Sequence, residues 1–267
     1  MPVAVIDLGT NTFHLLIAEL NDNSFKEIYR ERKFIKLGEH SSDFIGPQAF
    51  QRGLDAIKEF CEVCKNYKVN EIYAIGTAML RNAINSRSFL EAVSISMGIQ
   101  IQVINGLEEA RLIFKGVQTA GLLSDKKDLL MDIGGGSVEF IFCDNKNAEW
   151  FESIDIGVSI LKHRFPVKNI FSPKDILKLE NYLDYKLEPI YDKAYGMEHL
   201  NLIGISGTFD VIRDHFLREK KITEYSEFIL LPEEVKAFCE EIIPLSIEAK
   251  IKHPSIPDSR ADLISYA

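Results

Sequence analysis

A pattern that occurs twice along the chain narrows its fold more than any other feature. Asp7-Leu-Gly-Thr-Asn-Thr-Phe lines up with Asp132-Ile-Gly-Gly-Gly-Ser-Val at an offset of 125. Both read as a buried strand, Asp-x-Gly, a turn of small residues, a hydroxyl and a second strand. In the same order, Ala74-Ile-Gly-Thr77 corresponds to Ile205-Ser-Gly-Thr208 at an offset of 131, each after a strand. One short likeness arises easily by chance, whereas two matched strand-to-loop junctions at nearly equal offsets point to a duplicated domain. A chain of 267 residues has room for two domains, and 46% hydrophobic residues can supply two cores. The repeat divides the chain into residues 1–122 and 123–267, with Gly121–Lys126 as the connector.

Within the first repeat, Val3–Asp7 and Thr12–Leu20 read as a hairpin, and Phe25–Glu31 as a third strand with a continuation toward Gly38. A helix from Pro47 to Lys65 carries Leu54, Ile57, Phe60, Cys61 and Cys64 on one stripe. A strand over Glu71–Ile75, a helix over Ser88–Met97, a strand over Gln100–Ile104 and a helix from Leu107 to Ala120 complete a βββαβαβα order. Cys61 and Cys64 form a C-x-x-C inside a helix with no second pair, so we read them as packing thiols rather than a metal or redox pair.

The charge balance excludes some functions. With 31 basic against 40 acidic residues the formal net charge is −9, which argues against broad nucleic-acid or anionic-membrane binding through a basic surface. A polyanionic ligand would need a local cation cluster or a metal. No apolar run reaches the ~18–20 residues of a membrane span, and the first residues lack a secretion signal. Four irregularly spaced cysteines fit a reducing compartment. We expect a cytoplasmic protein, free of nucleic acid and membrane, and nothing excludes a homodimer.

The chemistry concentrates around the repeated turns. Gly134, Gly135, Gly136 and Ser137 form a tight turn whose backbone can approach a ligand closely and converge its N–H groups on a phosphate, the plain alternative being a flexible hairpin. Asp132, at the end of a buried strand, either holds Mg²⁺ with its water or caps the turn. Asp7, Asp132 and Glu139 can supply oxygen ligands for Mg²⁺. Glu139 lies on a strand where Val138, Phe140 and Phe142 alternate to the opposite face; a solvated strand carboxylate is the alternative.

On the helix after Asn105-Gly106, at about 100° per residue, Glu108 falls with Arg111 on a polar stripe, and Asn105 is placed to cap it. Glu109 falls beside Leu112, Ile113 and Gly116, while Ala110, Phe114 and Val117 make a separate stripe. The helix therefore reads as apolar on two sides, and a carboxylate there is desolvated toward the range of a general base. Glu109 is a candidate base, or else a structural ion pair. Arg81, near a strand end, has a fork suited to phosphate oxygens, though a lone arginine is more often a surface residue.

The duplicated βββαβαβα unit resembles the actin, hexokinase and chaperone ATPase superfamily, which implies an α/β fold of two ribonuclease-H-like domains around a central cleft. More narrowly, Asp7-Leu-Gly-Thr-Asn-Thr-Phe, Gly76-Thr-Ala-Met-Leu-Arg81, Asn105-Gly-Leu-Glu-Glu109-Ala-Arg, Asp132-Ile-Gly-Gly-Gly-Ser-Val-Glu139, Gly204-Ile-Ser-Gly-Thr208 and Arg260-Ala-Asp262 resemble the exopolyphosphatase and guanosine pentaphosphate phosphohydrolase family. That resemblance implies a Mg²⁺-dependent hydrolase that takes terminal phosphate from inorganic polyphosphate or guanosine pentaphosphate. Glu109 would be the base and Arg81 a phosphate contact, with Asn11, Gly134–Ser137, Gly207 and Thr208 around phosphate and Asp7, Asp132 and Glu139 around the metal. Thr10-Asn11-Thr12 replaces the family's usual Ser-Asn-Ser and keeps both hydroxyls, while Lys162 stands near where an arginine is usual. A sugar or acid kinase of the same superfamily, or a nucleotide-gated binding domain, are the other readings. A kinase would need an acceptor pocket and commonly an aspartate base, and a binding domain would need insertions that this chain lacks.

Overall fold

A computed structural model describes residues 1–21, 24–198, 200–220 and 229–267. By packing, they form two compact units: Met1–Leu112 together with Gly134–Ser137, and Ile113–Ile133 together with Val138–Ala267. These units follow contact, whereas residues 1–122 and 123–267 follow the sequence repeat. The turn Gly134–Ser137 belongs to the second repeat by sequence and to the first unit by packing.

The first unit is built from β1 (Pro2–Leu8), β2 (Thr12–Asn21), β3 (Ser24–Phe34), α1 (Pro47–Asn66), β4 (Glu71–Gly76), α2 (Ala78–Asn82), α3 (Ser86–Met97), β5 (Ile101–Val103) and the start of α4 (Gly106–Thr119). Its sheet runs β3-β2-β1-β4-β5, with β1 antiparallel to β2 and parallel to β4. Alternating Ile6, Leu8, Phe13, Leu15 and Ile17 point into a core closed by Phe60 of α1 and Phe89 of α3. Full burial of each such side chain stabilises by roughly 1.5–3 kcal/mol. Proline at its first position starts α1, and Gly98, left-handed at φ 71°, ends α3.

Two expectations change here. Strand β3 stops at Phe34, and the next residues turn inward. The amides of Ile35 and Lys36 donate to the Asn11 carbonyl at 2.8 and 3.0 Å, and that of Leu37 to Thr10 at 2.8 Å. The turn after β1 thus captures the stretch expected to extend the strand. In α4, Ala110, Phe114 and Val117 are buried, but Leu112 is 38% exposed. Only one of its two apolar stripes is covered, because a helical wheel shows which positions are apolar and not what packs on them.

The second unit contains the rest of α4, β6 (Asp128–Ile133), β7 (Val138–Cys143), β8 (Ala148–Ile154), α5 (Val158–Arg164), α6 (Pro173–Ala194), β9 (Asn201–Ile205), α7 (Gly207–Lys220), α8 (Pro232–Ile242) and α9 (Ile247–Ile251). Its sheet order, β8-β7-β6-β9, repeats the first without a fifth strand among the described residues. A capping box of Ser172 and Asp175 opens α6. Phe140, Phe142 and Val138 fill one cluster, and Val211, Phe216, Phe238 and Ile256 a second.

The turns confirm the duplication atom by atom. The Gly9 amide donates to Thr12 O at 3.1 Å, and the Gly134 amide to Ser137 O at 3.0 Å. Strand register refines the sequence alignment by one residue: Asp7 pairs with Ile75 and Asp132 with Ile205. Each unit is an α/β fold on a mixed sheet, in which an antiparallel hairpin is continued by a parallel strand. Among the described residues no helix is long and apolar enough to cross a membrane. Cys64 lies in the first core, where burial pushes its thiol up to about 11, as a packing role requires.

Candidate active site

In the first unit, β4 ends at Gly76 and α2 follows at once, which places Arg81 beside the start of α4. Arg81 Nη1 donates to the Ile104 carbonyl at 2.9 Å and stands 3.4 Å from Glu109 Oε2. Both side chains are largely covered, at 22% and 18% exposure, so Arg81 is not an ordinary surface residue. An anchored guanidinium thus faces the Glu109 carboxylate. Glu108 points elsewhere: its side chain pairs with Arg111 at 3.5 Å, and its amide donates to Asn105 Oδ1 at 2.9 Å.

The glycine turn packs on the same unit. A Cβ built on Gly135 would lie 2.6 Å from Asn11 Nδ2 and 2.8 Å from Thr10 Cβ. One on Gly136 would lie 2.5 Å from Ala78 Cβ, at the start of the helix that carries Arg81, and 3.0 Å from Thr10 Oγ1. No residue with a side chain fits this approach, and a merely flexible hairpin would not need it. Ser137 is buried beside it. Sequence reading noted the Thr10 hydroxyl and gave it no role. Its hydroxyl is buried without a hydrogen-bond partner among the described residues, a state that costs about 1–3 kcal/mol unless a ligand satisfies it. The buried polar atom and the glycine cradle together mark a place built for an oxygen-rich ligand.

In the second unit, Asp132 and Glu139 are direct cross-strand partners on β6 and β7, which puts their Cβ atoms about 4.5–5.5 Å apart on one face. All six residues of β7 are buried, so Glu139 is not the solvated strand carboxylate of the alternative reading. The Ser153 hydroxyl donates to it at 2.7 Å. Burial pushes the Asp132 carboxyl up to about 6, opposed by a hydrogen bond from the Ser206 side chain. The single Ser206 hydroxyl proton is shared between Asp132 and Ile133 O, which lies 3.0 Å from Oγ, and Ser206 takes the left-handed φ of 80°, a strained choice for a non-glycine residue.

Two carboxylates directly opposite each other repel unless a cation joins them. This hard-oxygen pair fits Mg²⁺, which typically takes one or two carboxylates and completes its shell with water and phosphate. Asp7 holds the matching position in the first unit, but its partner across β1 and β2 is His14. The carboxylate pair is therefore peculiar to the second hairpin.

Gly207 and Thr208 open α7, and Thr208 is buried. A Cβ on Gly207 would lie 1.8 Å from Arg260 Nη2, so the guanidinium of the Arg260-Ala-Asp262 motif lies against this glycine. Lys162 pairs with Asp262 at 2.5 Å. Cations thus stand at both motifs near the second repeat's junction, a grouping that 100 residues of separation hid from the sequence.

The chain is similar to proteins of one family. The model of the Ppx/GppA phosphatase family matches residues 16–267. A guanosine-5'-triphosphate,3'-diphosphate pyrophosphatase of Vibrio atlanticus is 30% identical over 264 residues, 94% of this chain and 52% of that protein. A putative exopolyphosphatase of Haemophilus influenzae is 28% identical over 212 residues, 79% of this chain and 65% of that protein. The chain spans about half the length of the first of these relatives. Among solved structures, an exopolyphosphatase of Cytophaga hutchinsonii superposes with a TM-score of 0.94 at 30% identity, over 100% of this chain and 87% of that one. A Ppx/GppA family member of Aquifex aeolicus shares the fold, with a TM-score of 0.78 at 21% identity over 100% and 87%.

Proposed function

The chain belongs to the Ppx/GppA phosphatase family, and from that premise we propose that it is a Mg²⁺-dependent phosphoanhydride hydrolase. It removes the terminal phosphate of inorganic polyphosphate, and of guanosine pentaphosphate, by in-line attack of water. The relatives named for an exopolyphosphatase and for a guanosine-5'-triphosphate,3'-diphosphate pyrophosphatase support the two substrates. The observation that carries the reading is the pair Arg81 and Glu109, 3.4 Å apart, in the unit that also holds Thr10, Asn11 and the glycine turn.

Glu109 accepts the proton of the attacking water. Arg81, held by the Ile104 carbonyl, neutralises charge on the equatorial oxygens, and its fork sets their orientation. The Gly134 amide closes the turn on Ser137 O, and the Gly135, Gly136 and Ser137 amides, Asn11 Nδ2 and the Thr10 hydroxyl supply hydrogen bonds to the terminal phosphate. Gly207 and Thr208, with Arg260 beside them, are the second unit's phosphate-binding candidates. Asp132 and Glu139 would hold Mg²⁺, with Asp7 the corresponding candidate of the first unit; the bound ion would offset the charge of the phosphate chain. Four free cysteines support a reducing, cytoplasmic setting.

The test is phosphate release from purified protein given each substrate, with and without Mg²⁺, and with a sugar or carboxylic-acid acceptor present. Release of one phosphate at a time, dependent on Mg²⁺ and indifferent to the acceptor, is expected. Transfer to the acceptor, or no release from either substrate, would overturn the reading.

A further inference from the structure

The second unit also gathers a set of donors that the proposed function does not use. His215 and Glu219 lie four residues apart on α7, on one helix face; Glu241 lies on α8, and His253 follows α9. Glu241 uses both oxygens: Oε2 stands 3.8 Å from His215 Nε2, and Oε1 stands 3.1 Å from His253 Nε2. Glu219 Oε2 is 3.6 Å from His215 Nε2. One ligand atom from each of His215, Glu241 and His253 falls within 4.8 Å of the others.

Four-coordinate zinc with bonds of about 2.0–2.2 Å requires neighbouring donors roughly 3.3–3.6 Å apart. The carboxylate–imidazole separations of 3.1, 3.6 and 3.8 Å bracket that edge. The rings are also held in place. His215 is buried, with Phe216 and Phe238 edge-on at 4.9 and 5.0 Å, and the His253 ring stacks on it at 5.8 Å and 22°. An ordinary ion pair accounts for one imidazole and one carboxylate. It does not account for two stacked imidazoles turned to the two oxygens of a single glutamate. With neutral imidazoles the four side chains carry a charge of −2, the complement of a divalent cation.

We propose that His215, Glu241 and His253, with Glu219 as the fourth ligand, form a binding site for Zn²⁺ or a similar borderline transition-metal ion. Mixed imidazole and carboxylate donors select such ions over Mg²⁺, which prefers oxygen alone. The site fastens α7, α8 and the segment after α9 around the cluster of Val211, Phe216, Phe238 and Ile256. On binding, His253 gives up its Nε2 proton and carries its single ring proton on Nδ1, so the 3.3 Å contact from the Ser255 amide to Nδ1 opens.

The full chain, stripped with a chelator and titrated with Zn²⁺ by calorimetry, tests the site. One equivalent should bind to the native chain and raise its thermal midpoint. Binding should weaken at least about 100-fold in Glu241→Gln and in His253→Gln, while circular dichroism in chelator matches the native chain. Asp132→Asn and Cys61→Ser should retain the equivalent, which separates this site from the carboxylate hairpin and from the thiols. Co²⁺ in place of Zn²⁺ should give d–d bands without thiolate charge transfer. No Zn²⁺ binding at micromolar concentrations, or native-like binding in both Glu241→Gln and His253→Gln, would overturn the proposal.

Discussion

Adjacent glutamates on α4 have different surroundings, and the difference can be measured. Glu109 is largely covered and beside Arg81, whereas Glu108 is 41% exposed and pairs with Arg111. Glu109→Gln keeps the shape and loses the base, so turnover of polyphosphate at saturating concentration should fall by roughly 10²–10⁴. Glu108→Gln should leave it near the native rate; equal losses would contradict the assignment. A second residue bears on stability alone. Lys250 is 2% exposed and pairs with no carboxylate among the described residues, and burial pulls its ammonium below the ordinary lysine range. The unfolded chain therefore holds this proton more tightly than the native one, and stability rises with pH as the native ammonium deprotonates. Lys250→Met should stabilise by about 1 kcal/mol at pH 7 in urea unfolding, and the gain should shrink at higher pH. The helical wheel separated Glu109 from Glu108 because four residues of spacing suffice for that. The isolation of Lys250 and the empty hydrogen-bonding capacity of Thr10 depend on neighbours distant in sequence, and no local pattern encodes them.

The β6–β7 hairpin shows what an element contributes beyond its side chains. Its turn presses backbone against Thr10, Asn11 and Ala78, leaving no room for a methyl group. Gly135→Ala must displace either the turn or Asn11, so the KM for polyphosphate should rise at least about tenfold while the chain still folds. Measured KM values for this variant and the native chain decide it, and an unchanged KM would remove the turn from the binding surface. The strands flanking the turn were legible because buried apolar runs bounded by Asp-x-Gly have few other fates. Helix α2, at Ala78–Asn82, is too short to show periodicity. The alternation read on β7 predicted one covered face, yet both are buried, since what lies on a strand's second face comes from elsewhere in the chain. The cluster of His215, Glu219, Glu241 and His253 draws on three separate segments and left no motif.

For the whole molecule, a net charge of −9 must coexist with the polyanionic substrate proposed above. Under that proposal a few cations and a metal would hold the ligand against the remaining field. Raising salt from 0.1 to 1 M shortens the screening length from about 10 to 3 Å, so at fixed free Mg²⁺ the KM should rise more steeply for long polyphosphate than for guanosine pentaphosphate. Equal, flat responses in a steady-state assay would mean that the metal dominates binding. The duplication was readable at this scale because both copies keep Asp-x-Gly and the same turn; the packing boundary was not, because it departs from the repeat. The turn Gly134–Ser137 packs with the first unit while the strands on either side of it belong to the second. Neither unit is therefore an unbroken stretch of gene. A single crossover cannot transplant the first unit alone, since any exchange that includes the turn also carries residues 113–133 of the second. A working exchange must therefore keep Thr10, Asn11 and the distant glycines together as one linked set.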